Sequence, residues 1–331
     1  MKVKDIEISS IGDADDSEWD SIWQHCQYST YFHSREWADI WNKYTNGKIQ
    51  PKSFLITFSD GKRALLPLSI QRILKGLAKQ YISSPAGTFG GWISRDKLNI
   101  SHGQLLVDYI YQKFGSLIWR LNPYDKIVSQ CKFSKIENDE THALNLEGGF
   151  DAIYRLWTKG HKSAARKARK ARKAGIIILK AYKQEHWQKY YAIYEDSLQR
   201  WGEGATSRYE WKLFEILYAL SSKNIELWLA KYEDKIIAGA LSFYSKNHVV
   251  YWHGAALSAY FNMRPVNLLM YEVIKDTCER NCLWFDFNPS GGHEGVKAFK
   301  KSFGAVGLPC PIVKNINKFV KIGRSLFRKI G

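Results

Sequence analysis

The sequence predicts an α+β protein made of two tandem copies of one unit, each a mixed central sheet flanked by helices. Three observations lead there: a hairpin pattern that recurs, a recurring order of helical and extended stretches around it, and a glycine break near the middle of the 331 residues. Residues 54–70 read as a strand, an Asp60-Gly61 turn and a second strand. Residues 227–243 superpose on them without a gap, placing Lys62 on Lys235, Leu68 on Leu241 and Ser69 on Ser242. Two helical stretches precede each hairpin, 17–27 and 34–44 in the first half, 184–201 and 208–222 in the second. A further strand, a long helix (98–114; 265–281) and a buried strand (117–121; 283–287) follow each one. Glu147-Gly148-Gly149 breaks a strand at 141–146, so the first domain is expected to span 1–149 and the second 150–313. A basic amphipathic helix is expected over 314–331.

Composition narrows the class. An apolar content of 45%, with 13 Trp and 19 Tyr, suits two globular cores and excludes a disordered chain. No apolar run reaches membrane-spanning length, and the opening residues lack a signal-peptide pattern, so the expected compartment is the cytoplasm. The five cysteines (Cys26, Cys131, Cys278, Cys282, Cys310) are scattered, and no second pair with histidines completes a zinc set. Reduced, mostly buried thiols and no metal are expected.

The formal charge of +17 is concentrated in two places. Residues 151–183 hold eleven Lys/Arg against one acid, and residues 297–331 hold nine against none. Local patches of this kind suit a polyanionic partner: RNA, an anionic membrane surface, or a nucleotide or phosphate substrate. Residues 150–173 read as one helical run that ends at Gly175. Within it Ala165, Ala168, Ala171 and Ala174 form a thin stripe, and eight cations with no acid cover the other faces of 159–174. Such a helix is held by docking its alanines, because its own charges repel. It is either a solvated connector or a phosphate-tracking surface built from Lys162, Arg166, Arg169, Lys170 and Lys173; unneutralised charge at this density favours the second. No aromatics interleave, so a nucleic acid would be held by its backbone rather than its bases.

Residues 284–304 say most about chemistry. The strand 283–287 breaks at Asn288-Pro289, opens into Ser290-Gly291-Gly292, and leads to a short basic helix carrying Phe299, Lys300 and Lys301 that stops at Gly304. A glycine turn after a core strand, followed by cations on a helix, places backbone N–H groups and positive charge beside an anionic or carbonyl-bearing ligand.

This segment resembles the end of the transferase domain in the Fem family, the aminoacyl-tRNA-dependent peptidoglycan bridge enzymes (FemAB/FemX-like), and in their BioF2-like acetyltransferase relatives. There an aspartate-bearing strand leads through a glycine turn to a Phe-Lys-Lys/Arg-x-Phe-Gly/Asn element. The basic helix and the Lys-Ala-Gly-Ile run at 173–176 resemble the same proteins. The order helix-helix-strand-strand-strand-helix-strand resembles the GNAT acyltransferase fold, occurring twice, and tandem GNAT-like domains are what the Fem resemblance implies. The resemblance covers most of the chain, with 284–304 its specific part. The long helical hairpin of larger Fem members is missing from the second half.

The resemblance implies roles for individual residues. Lys300 would stabilise the negative oxygen that develops on an attacked ester, where a fixed cation is worth several kcal/mol. Phe299 would stack on an adenine or shape the pocket, and Asn288, Ser290 and Gly291 would line it. Arg200 and Arg208 would reach the phosphates of a nucleotide-linked precursor, or are ordinary helix-end arginines. Trp252 and His253 would line the acceptor side, with His253 either a satisfied core residue or a base. Asp286 is either a buried partner for a cation or a proton acceptor. Arg264 and Asn267 stand where a coenzyme A-dependent GNAT places an Arg/Gln-x-x-Gly-x-Gly/Ala loop; this chain has the charge but not the glycines.

The function expected is an acyltransferase that forms an amide on an amine of a cell-envelope or polysaccharide precursor by direct attack on an aminoacyl-tRNA ester, with no tightly bound cofactor. No Ser-His-Asp or Cys-His arrangement is evident that would support a covalent intermediate. The alternatives are an acyl-CoA-dependent N-acyltransferase acting on an amino sugar or peptide amine, and a non-catalytic RNA- or membrane-binding module. Expected partners are tRNA and a nucleotide- or lipid-linked precursor. The amphipathic tail either caps the second domain or rests on an anionic membrane, giving peripheral association at its inner face.

Overall fold

The computed structural model describes residues 5–73, 76–205 and 207–316. The chain forms two compact units, 1–140 with 309–331, and 141–308. In the first, β1 (Ile8–Gly12), α1 (Asp16–His25) and α2 (Arg35–Tyr44) precede the hairpin β2 (Ile49–Phe58)–β3 (Arg63–Ile73). Then come β4 (Ala78–Ile82), α3 (Ile100–Lys113), β5 (Ser116–Arg120) and the short β6 (Ile136–Glu137). Side-chain caps set the helix starts: Asp15 accepts from the Glu18 N–H and Ser34 from the Trp37 N–H.

The second unit opens with β7 (Glu140–Asn145), α4 (Gly149–Lys159) and α5 (Lys162–Lys173). It then repeats the first unit's order: β8 (Ile177–Lys180), α6 (Gln184–Trp201), α7 (Trp211–Ala219), the hairpin β9 (Ile225–Tyr232)–β10 (Lys235–Tyr244), β11 (His248–Ala256), α8 (Pro265–Glu279) and β12 (Trp284–Pro289). After α9 (Glu294–Lys301) and β13 (Val306–Pro309), the chain ends its described part in β14 (Ile312–Ile316).

The two sheets run β1-β2-β3-β4-β5-β14-β6 and β8-β9-β10-β11-β12-β7-β13, and they correspond strand for strand. The sixth strand of each is exchanged. β7 follows β6 along the chain yet pairs with β12, and β14 follows β13 yet pairs with β5. This moves the division from the expected 149/150 to 140/141 and returns residues from 309 onward to the first unit. Strand pairing decides membership: Leu144 sits opposite Phe285, and Val313 opposite Trp119. The glycine break merely starts a helix, with Gly148 as the N-cap of α4.

Three local expectations are corrected as well. The run 150–173 is two helices, separated at Gly160-His161 where a poor helix former meets a residue with non-helical backbone. The docked alanine stripe of α5 is Ala164, Ala165, Ala168 and Ala171, with Ala174 at the C-cap instead. Lys314, Asn315 and Ile316 belong to β14 rather than to a helix, and the rest of the expected tail helix lies outside the described residues.

Each face of the second sheet has its own cover. On one, Leu268, Leu269, Val273 and Ile274 of α8 pack with the α5 alanines over Phe285 and over Ala230, Ala238 and Ala240, small strand residues that let the helix come close. On the other, α6 approaches so near that a Cβ on Gly239 of β10 would lie 2.4 Å from Cδ2 of Tyr190. All five cysteines are buried, and none forms a disulfide among the described residues. Gly239→Ala is expected to cost about 1–3 kcal/mol by overpacking against that ring, read as a lower urea midpoint with an unchanged slope.

Candidate active site

β11 and β12 run parallel but pair only from His248 to Val250 and from Trp284 to Asp286. Beyond that point they separate, and α8 crosses from one to the other with its N-terminus at their carboxyl ends. A notch between diverging parallel strands, facing a helix N-terminus, is a recurrent ligand site.

The β12 side of the notch is built around a buried carboxylate. Asp286 is 0% exposed. It accepts a hydrogen bond from the Thr141 hydroxyl of β7 and another, 2.6 Å long, from the Asn288 backbone N–H. The second bond accompanies a left-handed Asn288, at φ 65°. The carbonyl of Asn288 in turn accepts from Nζ of Lys300, which reaches back from α9 and is only 3% exposed. Phe299 lies edge-on to Phe287 and Phe303, with centroids 6.5 and 5.3 Å away. Gly291 and Gly292, at φ 56° and 81°, make the turn between β12 and α9. Lys297 pairs with Glu294 instead, and Lys301 is exposed.

Two polar atoms at this end of the parallel pair are buried without a hydrogen-bond partner among the described residues: Oγ of Ser290 just past β12, and Nδ2 of Asn267 in the first turn of α8. Their residues are 7% and 6% exposed. Leaving such a group unsatisfied costs about 1–3 kcal/mol, and a ligand that bonds it removes the cost. Arg264, exposed at the α8 N-cap and also left-handed at φ 63°, stands at the same end.

The β11 side carries aromatic rings. The register of β10 against β11 shifts between Leu241–His253 and Ser242–Tyr251, leaving Trp252 as an extra residue. The bulge re-aims its side chains, so Trp252 and His253 both meet Tyr209, at centroid distances of 5.1 and 6.1 Å. Nδ1 of His253 is 2.6 Å from the Tyr190 hydroxyl. Desolvation pushes His253 down to about 3 and holds the Tyr190 hydroxyl well above its ordinary range. An imidazole that weak is a poor proton acceptor at neutral pH, which favours the satisfied core residue of the two expectations for His253.

Other expected contacts fall elsewhere. Arg200 is engaged by Asp196 at 3.1 Å, by Ser197 and by the Ala256 carbonyl, and it lies over the Phe261 ring. Arg208 does not begin a helix; it is exposed in the extended lead to α7 and donates to the Gly202 carbonyl. Lys162, Arg166, Arg169, Lys170 and Lys173 are exposed on α5, with no acidic partner among the described residues, whereas Arg172 pairs with Glu272. Sequence reasoning missed Thr141, Tyr190 and Tyr209; Gly239, which makes room for Tyr190, was the available sign of the second. Among the described residues no cluster of three or more His, Cys, Asp or Glu side chains could hold a metal ion.

Two outcomes are expected. Asp286→Ala would strand the Asn288 N–H and the Thr141 hydroxyl and free the loop under Lys300, costing about 1–3 kcal/mol in chemical denaturation. For His253, the folded value near 3 against an ordinary 6.5 means that the unfolded chain takes up a proton the folded chain refuses. Stability present above pH 6.5 is therefore lost as pH falls through that window. His253→Phe should lose less melting temperature than the parent between pH 7 and about pH 4.

Comparison with known proteins bears on the geometry as a whole. Residues 158–301 match the family described as acetyltransferase (GNAT) domain. Among solved structures, FemX superposes with a TM-score of 0.70 at 13% identity, over 97% of this chain and 99% of that one. A conserved protein of unknown function from Bacteroides thetaiotaomicron VPI-5482 gives 0.57 at 11%, over 93% and 99%. The C-terminal domain (DUF2156) of a protein from Agrobacterium fabrum described as a lysylphosphatidylglycerol synthetase gives 0.54 at 11%, over 83% and 87%. No curated protein matches the chain in sequence. At such identities the likeness is one of fold: the chain has the fold of FemX, and residues 158–301 of its second unit match the acetyltransferase (GNAT) domain model.

Proposed function

We propose that the protein is an N-acyltransferase that moves an aminoacyl group from the ester of an aminoacyl-tRNA to an amine of a cell-envelope or polysaccharide precursor. The observation that carries this reading is Lys300, a cation withdrawn from solvent and held against the Asn288 carbonyl at the carboxyl end of β12. The amine nitrogen bonds to the ester carbonyl carbon, and the carbonyl oxygen becomes an oxyanion that Lys300 stabilises. The ester C–O bond then breaks; the ribose oxygen leaves with a proton and the nitrogen loses one. Asp286 positions Lys300 through Asn288, since its carboxylate is fully buried and hydrogen-bonded. Asn267 and Ser290 offer unsatisfied polar atoms to the donor, and Phe299 shapes the wall beside it. The five exposed cations of α5 track RNA phosphates. A fold shared with FemX and with the lysylphosphatidylglycerol synthetase domain supports an aminoacyl donor and a membrane-linked acceptor. No helix among the described residues is long and apolar enough to cross a membrane, and we place the protein at the inner face of one.

A second reading, with acyl-CoA as donor, is favoured by the GNAT domain match and by the α8 N-terminus with its orphaned Asn267 amide. Labelled aminoacyl-tRNA and labelled acyl-CoA, each incubated with the protein and a cell-envelope precursor extract, separate the two by which label enters a new amide. Lys300→Met should lower turnover about 10²–10³-fold with donor binding retained; unchanged turnover would remove Lys300 from the chemistry. Changing Arg166, Arg169, Lys170 and Lys173 together to Gln should weaken tRNA binding and flatten its salt dependence, by about 0.7–0.9 in log–log slope for each phosphate no longer neutralised. Unaltered binding would make α5 a solvated connector.

A further inference from the structure

The first unit holds a cavity at the place that corresponds to the notch of the second. β4 keeps to β5 as far as Ser83, whose N–H donates to the Ile118 carbonyl, and the chain returns at Gly90, whose N–H donates to the Arg120 carbonyl. Between them residues 84–89 loop away, with Ala86 and Gly87 left-handed at φ 57° and 65°. Gly90 closes the loop, since a Cβ there would lie 2.5 Å from the Ser83 carbonyl oxygen. The space beside the loop measures about 330 Å³. Its floor is one face of the first sheet, where Ile49 sits opposite Gln71, Ile82 opposite Ile118 and Ile312 opposite Arg120. The other face of these strands, with Leu117, Trp119 and Val313, belongs to the core under α3.

The polar groups repeat the second unit with the charge reversed. Arg120 and Asp286 each stand two residues before an Asn-Pro pair, on corresponding strands. Asp286 meets Thr141, two residues before its strand partner Ala143. Arg120 meets Cys310, two residues before its own partner Ile312, with Nη1 3.6 Å from Sγ. A cation thus occupies the position that the second unit gives to its buried carboxylate. The Arg120 side chain is only 14% exposed. Its Nε donates to the Gly87 carbonyl at 2.6 Å and its Nη1 to Asp139, whereas Nη2 makes no hydrogen bond among the described residues. The hydroxyl of Ser83, a residue 5% exposed, makes none there either, and nor does the side-chain amide of Gln71. Three residues with idle donors therefore line one cavity.

We propose that this cavity, built wholly from first-unit residues, is a binding site for a small aliphatic monocarboxylate. Arg120, Ser83 and Gln71 hold the carboxylate, and Ile49, Ile82, Ile118 and Ile312 receive the carbon chain. An apolar lining with a few convergent polar groups is the common form of a small-molecule pocket. A guanidinium offers carboxylates more than one edge, so Arg120 serves Asp139 and the ligand together. The left-handed turn at Ala86-Gly87 keeps a carbonyl on Nε, which fixes the fork and leaves Nη2 as the free edge. A phosphate dianion fits less well, because its second charge would meet Asp139 with no second cation in the lining. The assignment does not rest on the acyl-transfer reading.

Titrating sodium hexanoate into the full chain, followed by NMR of the Gln71 side-chain amide and the Arg120 Nε–H, tests the site by binding alone. Both signals should shift saturably. Hexanamide, which keeps the carbon chain and loses the charge, should bind about 10–100-fold more weakly, the size expected for a hydrogen-bonded charge. Equal affinity for hexanamide, or tighter binding of inorganic phosphate, overturns the carboxylate assignment. Arg120→Gln should weaken hexanoate by a similar factor. That change also unpairs Asp139, so two further variants decide the matter if it does not fold. Ser83→Ala removes one hydroxyl and should weaken binding about two- to tenfold; Ile118→Phe fills the cavity and should abolish it. Parent affinity in both variants, or no saturable shift in the parent, refutes the site. Because the readout is binding, its failure leaves the acyl-transfer reading untouched, and the reverse holds as well.

Discussion

The second unit is organised by one buried carboxylate. Asp286 is fully buried, and the hydrogen bonds that sustain it include one from a side chain on β7 and one from the backbone just past its own strand. A charge in that position survives only if its lone pairs are met. Meeting them sets the left-handed turn at Asn288, and that turn directs a carbonyl at Lys300. A lysine this deep needs an acceptor as much as the aspartate needs donors. The anchor, the turn and the cation therefore stand or fall together.

Strand exchange belongs to the same account. Thr141 lies on β7, the segment that leaves the first half of the chain to fill the gap between β12 and β13. A unit folding alone would have to supply that strand from its own carboxyl end. Here the carboxyl end supplies β14 to the other sheet, so each sheet is completed by residues distant along the chain. The donor for Asp286 thus arrives by the same exchange that closes the fold.

The two faces of the second sheet divide the labour. The α8 face is dry and packed through alanines, which lets α5 dock while its exposed cations point away from the core. The α6–α7 face is aromatic and only partly covered, and the β-bulge at Trp252 turns adjacent residues toward it. Where β11 and β12 part, both faces meet the carboxyl ends of the strands. Lys300 and the Asn267 amide come from one side, Trp252 and His253 from the other.

Much of this was legible along the chain, because local physics carries it. α6 occupies the predicted residues 184–201, and α2 begins where Ser34 can cap it. The aspartate-turn-lysine order of 284–304 survives intact, with Gly304 at φ 87° where a helix end calls for a residue without a side chain. What the sequence could not determine was which strand edges meet. The boundary at 140/141, the pairing of β14 with β5, the Thr141–Asp286 bond and the Tyr190–His253 contact join residues from 63 to about two hundred positions apart. Periodicity and turn chemistry report on neighbours within a few residues, whereas the choice between two sheets for one short strand depends on the edge it finds. That choice, made only in the folded chain, converts a recognisable motif into a site.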